Sequence, residues 1–154
     1  MESLSLEAIE EIDYEVAKRD FKFFFEEILG YQLANHHEHW YNNLEARKRY
    51  CVKAARDHGK STLFLGYMLW KTAFNPKTKA VLISHSLHQC IHHMRTLNDL
   101  IDGVPFLAKM KKPDSWSKTF FGFSNGSNIS AKSVGGAIRG IHPDLILCDD
   151  ILWG

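Results

Sequence analysis

Residues Ala54, Ala55, Arg56, Asp57, His58, Gly59, Lys60, Ser61 and Thr62 end in the Gly-Lys-Ser-Thr run of a phosphate-binding loop. In such a loop the backbone N–H groups of the turn and the positive end of the following helix cradle phosphates. Lys60 then reaches the β- and γ-phosphates and the Ser61 hydroxyl holds Mg²⁺. The usual pattern opens with a glycine where this chain has Ala54, so a chance Gly-Lys-Ser-Thr at an ordinary helix start is the competing reading. A second feature is the apolar run Leu145, Ile146, Leu147, Cys148, which delivers Asp149 and Asp150. Open α/β sheets bind ligands at the carboxyl ends of their strands. There Asp149 suits a metal ion, through water, and Asp150 suits orienting or activating an attacking water. A strand followed by a solvated turn explains the acids alone equally well. Together, in this order and on separate strands, loop and acids agree on ATP hydrolysis.

Such a loop needs a strand before it and a helix behind it. Residues 50–55 are β-type, and residues 60–74 are apolar nearly all round, the mark of a buried helix, ended by Asn75 and Pro76. Residues 80–83 read as the next strand. Residues 84–101 read as a helix with Ile91, Met94, Leu97, Leu100 and Ile101 on one side, closed by Gly103, Val104 and Pro105. Strands alternating with helices are the signature of βαβ units around a parallel sheet. Asn125-Gly126, flanked by residues 119–123 and 128–131, predicts one antiparallel hairpin, followed by a glycine-rich loop at 133–140.

Upstream, Leu4, Leu6, Ile9, Ile12 and Val16 recur at near-helical spacing among Glu7, Glu10, Glu11 and Glu15, predicting an amphipathic helix on the outside of the fold. Asp20 N-caps a second helix over 21–29, whose aromatics enter the core and which Gly30 stops. His36, His37, Glu38, His39 and Trp40 open a third helix. The expected fold class is α/β: an incomplete three-layer P-loop NTPase core of the ASCE type, with a mostly parallel sheet and one hairpin. Residues 1–45 form a helical extension packed on a partial core at 46–154.

The 154 residues are 45% hydrophobic and 24% charged, ordinary values for one domain with a sizeable core, which argues against disorder. No apolar run approaches the roughly 18 to 20 residues of a membrane span, and the acidic start is unlike a signal peptide, so a soluble intracellular protein is expected. Cys51, Cys90 and Cys148 lie far apart and form no Cys-x-x-Cys pair, so they are expected to be reduced and packed. The net charge of +1 is unevenly spread. Residues 1–30 hold nine acids and three bases, net −6, leaving sixteen bases and nine acids, net +7, in the remainder. Such a body can meet phosphates, although lone surface lysines are more often merely solvated.

The loop Arg56, Asp57, His58, Gly59, Lys60, Ser61, Thr62, the upstream His36 to Trp40 segment with Leu44, Ser84, the run Gly135, Gly136, Ala137, Ile138, Arg139, Gly140 and the final Asp149, Asp150 resemble, in order, the N-terminal ATPase domain of the large terminase subunit of tailed bacteriophages. The resemblance implies an ATPase motor that drives double-stranded DNA into a procapsid in the host cytoplasm. ATP and Mg²⁺ are its cofactors, and the portal and the small terminase subunit its partners. Lys60, Arg56, Asp149 and Asp150 are then catalytic, Arg56 as an arginine finger within its own subunit. Asp57, His58, Gly59, Lys60, Ser61 and Thr62 hold the nucleotide, with His37 and Trp40 on its adenine side, and Ser61 and Asp149 hold Mg²⁺. Arg139 is a second finger candidate or a group contacting DNA or a neighbouring subunit. Many such motors carry Asp-Glu where this chain has Asp149-Asp150, so the expectation is that either aspartate suffices as the base or that the catalytic acid lies beyond the C-terminus. The coupling motif and the nuclease domain of complete large subunits are absent, so a truncated or split motor is expected, one whose sheet a second chain completes.

Two other readings stand beside this one: a helicase-like P-loop ATPase, and a non-catalytic fragment whose site is incomplete. His88 and His92 have a zinc-compatible spacing without a third ligand, which favours a helix face. Lys109, Lys111 and Lys112 read as a solvated loop with DNA contact as the alternative.

Overall fold

The computed structural model describes residues 5–46, 60–135 and 142–149, and the chain divides into two units, residues 1–63 and 64–154. In the first unit, Ser5 caps helix α1 (Leu6–Arg19), its Oγ accepting the Ala8 N–H at 3.2 Å. Glu7 in the first turn and Lys18 and Arg19 in the last suit the helix dipole. Asp20 ends α1 and, as expected, caps the next helix, α2 (Phe21–Phe23), accepting the Phe23 N–H at 3.3 Å. α2 widens into a π-helical turn over Phe24–Ile28, a change of period that the apolar spacing does not announce. Phe21, Phe24 and Phe25 are buried, with Phe25 stacked on Tyr31 at 5.1 Å and Phe21 edge-on to Tyr41 at 5.2 Å. Gly30, at φ 82°, ends the segment in the left-handed conformation its position predicts. Helix α3 (Asn35–Ala46) follows.

α1 does lie on the outside, but not in the usual amphipathic manner. Its one buried residue is the small Ala17, whereas Leu6, Ile9, Ile12 and Val16 are all exposed. Contact with the π-helical turn is made over alanine, and the large apolar stripe points away from it.

Helix α4 (Lys60–Phe74) covers its predicted residues and brings Leu65, Met68, Leu69 and Ala73 into the core of the second unit. Five strands form one sheet there: β1 (Lys79–Ser84), β2 (Lys111–Trp116), β3 (Phe120–Phe123), β4 (Asn128–Ser133) and β5 (Leu145–Asp149), in the order β2-β3-β4-β1-β5. β1 is parallel to both β4 and β5, while β3 is antiparallel to β4 and β2 to β3. This is a parallel core extended by an antiparallel meander. Helix α5 (Leu87–Asp102) lies against β4 and β1 with Cys90, His93, Met94, Leu97 and Ile101 buried, and the short α6 (Pro105–Ala108) follows it.

Three expectations need correction. α5 starts at Leu87 because Ser84 remains in the β1 ladder; Ser86 is the cap, its Oγ accepting the Gln89 N–H at 3.2 Å. The hairpin gains a third strand, β2, so Lys111 and Lys112 are strand residues. Pro113 is tolerated because β2 is an edge strand that donates few ladder bonds. Cys90 is packed, but Cys148 is exposed, because β5 is an outer strand among the described residues and turns Ile146 and Cys148 outward. Cys51 and the strand expected at 50–55 lie outside the described residues.

Candidate nucleotide site

The predicted site residues fall into two groups. In the first unit, Lys60, Ser61 and Thr62 are the first three residues of α4 and are half-buried. The opening N–H groups of any helix lack acceptors within it, and the positive end of the dipole lies there. Lys60 and Ser61 open the described part of α4, and an ammonium and a hydroxyl are the groups that a phosphate and its magnesium take.

His37 and Trp40, one turn apart on α3, belong to the same unit. Buried His37 accepts the Ala34 N–H on Nδ1 at 3.2 Å, which assigns the ring proton to Nε2 and fixes the imidazole at the start of the helix. The rings of His36, His37 and Trp40 cluster, at 4.1 Å between the histidines and 5.0 and 5.4 Å from His36 and His37 to Trp40. Nearby, Lys22 Nζ donates to Glu38 Oε1 at 2.7 Å, which holds the Lys22 ammonium above its ordinary pKa.

The second group sits at the carboxyl ends of the parallel strands. Ser84 of β1 is in register with Ser133 of β4 on one side and with Asp149 of β5 on the other, so all three strands end at one level. Ser84 is fully buried and Ser133 half-buried. Behind them, Cys90 Sγ donates to the Lys132 carbonyl at 3.3 Å, and burial pushes its thiol above the usual pKa. Asp149 therefore ends its strand as the sequence predicts, and Ser84 is its cross-strand neighbour. Sequence reasoning did not single out Ser133, because nothing local announces which strands will be adjacent.

Arg56, Asp57, His58, Gly59, Arg139 and Asp150 lie outside the described residues. Among the described residues, no three His, Cys, Asp or Glu side chains gather to hold a metal ion. His88 and His92 are exposed, while His93 is buried with its Nε2 3.3 Å from Gln89 Nε2. Also among the described residues, no helix is long and apolar enough to cross a membrane.

The mixed sheet, with a parallel core and an antiparallel extension, is an α/β fold shared with a large terminase of known structure. In structure, the chain is similar to the large terminase of bacteriophage HK97, with a TM-score of 0.71 and 19% identity over 85% of this chain and 30% of that one. In sequence, it is similar to the terminase large subunit of Enterobacteria phage T3, 27% identical over 111 residues, which are 68% of this chain and 19% of that protein. No family model matches. Fold and sequence thus agree on a likeness to the phage large terminase subunit, of which the chain spans under a third.

Proposed function

We propose that this chain is the ATP-hydrolysing part of a phage terminase large subunit, acting in the host cytoplasm to drive double-stranded DNA into a procapsid with the portal and the small terminase subunit. One observation carries the reading: the described part of α4 opens with Lys60, Ser61 and Thr62, directly after the loop run in sequence. A helix start bearing Lys-Ser-Thr and a strand end bearing Asp are the two halves that magnesium and ATP require.

In this reading Lys60 and the opening N–H groups of α4 bind the β- and γ-phosphates, and Ser61, with Asp149 through water, holds Mg²⁺. Thr62 and residues 57–59 complete the cradle. When bound, Mg²⁺ would neutralise charge on the phosphate oxygens that the attacking water approaches. Asp150 orients that water and takes its proton. Arg56 places its guanidinium against charge developing on the transferred group, with Arg139 as a second arginine for that role or for DNA. His37, its ring fixed by Ala34, and Trp40 offer an aromatic wall for adenine.

The test is calorimetric titration of the chain and of its Lys60→Ala variant with Mg²⁺-ATP at equal salt. Saturable binding by the wild type and its loss in the variant are expected. Equal heats from the two proteins would remove Lys60 from the site and with it the proposed function.

A further inference from the structure

The face of the sheet that carries Ser84 can be followed from strand to strand. Phe121 of β3 lines a cleft with Ile91 and Met94 of α5. Register pairs Phe121 with Ile129 of β4, and Ile129 with Ala80 of β1. Side chains alternate along a strand, so Ile129, Ala131 and Ser133 share the α5 side of the sheet with Ala80, Leu82 and Ser84, and β5 brings positions 145, 147 and 149 to the same side. On β1 this row is fully buried from end to end, and of its three members only Ser84 is polar. The Ser84 hydroxyl is not the cap of α5, a part that Ser86 plays. Its carbonyl accepts the Val134 N–H at 3.0 Å, a bond that any residue there would make. A hydroxyl set at the end of an apolar row is costly to bury unless it has a partner, and the residues level with it are Ser133 on one side and Asp149 on the other.

We propose that Ser84 is a positioning residue for the acid of the nucleotide site, its hydroxyl donating to the Asp149 carboxylate. The inference rests on the nucleotide reading and deepens it. A carboxylate that holds a metal through water must keep one rotamer, and a neighbouring donor on one of its oxygens fixes that rotamer while leaving the other oxygen to the site. Serine is suited to the task, since adjacent strands lie about 4.8 Å apart and two short side chains in register on one face span that gap. Ser133, half-buried at the far end of the same row, supplies a second hydroxyl. It donates to Ser84 Oγ, which accepts with a lone pair and keeps its own proton for the aspartate. Buried Cys90 closes the row from behind, its Sγ donating to the Lys132 carbonyl at 3.3 Å. Water is thereby kept from competing for the serine hydroxyl, and a hydrogen bond to a charged acceptor is stronger where water is excluded.

The test is calorimetric titration of the full chain with ADP in EDTA and with Mn²⁺-ADP at equal salt, accompanied by the electron paramagnetic resonance spectrum of the bound Mn²⁺. Wild type is compared with Ser84→Ala, Ser84→Thr, Ser133→Ala and Ser130→Ala, and thermal midpoints check the fold. Alanine already occupies this row at Ala80 and Ala131, so Ser84→Ala is expected to fold. It should bind metal-free ADP as the wild type does and Mn²⁺-ADP about tenfold or more weakly, with an altered manganese spectrum. Ser84→Thr keeps the hydroxyl and should recover most of the loss, and Ser133→Ala should show a smaller loss in the same direction. Ser130 is a buried serine of the same strand on the opposite face, so Ser130→Ala should leave both affinities unchanged. If Ser84→Ala matches the wild type with Mn²⁺-ADP while Lys60→Ala abolishes binding, the positioning role falls and the nucleotide reading stands. If Ser84→Ala loses affinity equally with and without metal, or Ser84→Thr recovers nothing at an unchanged thermal midpoint, the serine is structural and the proposal falls. A wild type that binds neither form of ADP overturns both.

Discussion

Cys90 and Cys148 share a chemistry and differ in surroundings. Cys90 is fully buried and bonded to the Lys132 carbonyl, whereas Cys148 is exposed on β5. In a Cys51→Ser background, iodoacetamide is therefore expected to alkylate Cys148 in the folded chain and Cys90 only after unfolding in urea. Equal labelling rates by mass spectrometry would refute the packing described. Burial raises the Cys90 thiol above its ordinary pKa of 9.0, so the folded state holds that proton more tightly than the unfolded one. Its contribution to stability is complete below pH 9 and declines as pH rises past it, and the urea midpoint should show that decline. At the candidate site, residue types were legible where chemistry demands a local run: Lys60, Ser61 and Thr62 at a helix start, Asp149 at a strand end. The Ser133, Ser84, Asp149 row was not legible, because register between strands far apart in sequence leaves no trace in the sequence around each.

The turn between β3 and β4 does more than reverse the chain. Asn125 Nδ2 donates to the carbonyls of Thr72 at 2.9 Å and Ala73 at 3.1 Å, while its Oδ1 accepts the Ser127 N–H at 3.0 Å. Ser127 Oγ donates to the Asn75 carbonyl at 2.9 Å and accepts the Thr78 N–H at the same distance. One Asn-Gly-Ser turn thus satisfies the open end of α4 and the approach to β1. Asn125→Ala is expected to cost about 1–3 kcal/mol, the usual penalty for stranding part-buried carbonyls, read as a lower urea midpoint. Asn125→Asp should cost at least as much, because a carboxylate would face the negative end of α4. A midpoint unchanged in both variants would show the clamp to be decorative. Gly122 supplies a second element-scale test. A Cβ there would stand 2.9 Å from Ser115 Cβ and 3.1 Å from the Ser115 carbonyl, so Gly122→Ala must push β2 away from β3 and lower the thermal midpoint. The sequence announced the hairpin through Asn-Gly and α4 through its apolar run and Pro76. It concealed β2, since Lys-Lys-Pro-Asp is a poor strand by composition and pairs only because β3 offers it an edge. The outward stripe of α1 was concealed for a related reason: periodicity shows that a helix has an apolar side, not which side its neighbours take.

At the scale of the whole molecule, the sheet of the second unit has two outer strands among the described residues, and they are guarded very differently. β2 carries Lys111, Lys112, Pro113 and Asp114, the charges and proline that discourage another strand from adding to an edge. β5 carries Leu145, Ile146, Leu147 and Cys148, with Ile146 51% exposed, and has none of these devices. An apolar strand of this kind is a template for further pairing, so irreversible aggregation is expected to proceed through β5. Ile146→Lys should slow the rise of light scattering on incubation at high concentration. As a surface change it should leave the stability within the shift of about 0.5 kcal/mol usual for exposed positions. Lys112→Val, which strips one guard from the opposite edge, should accelerate scattering. If Ile146→Lys leaves the aggregation rate unchanged while Lys112→Val raises it, β2 is the vulnerable edge and the protection ascribed to its charges is marginal. If neither variant alters the rate, aggregation begins from unfolded chain rather than from either edge of the folded sheet.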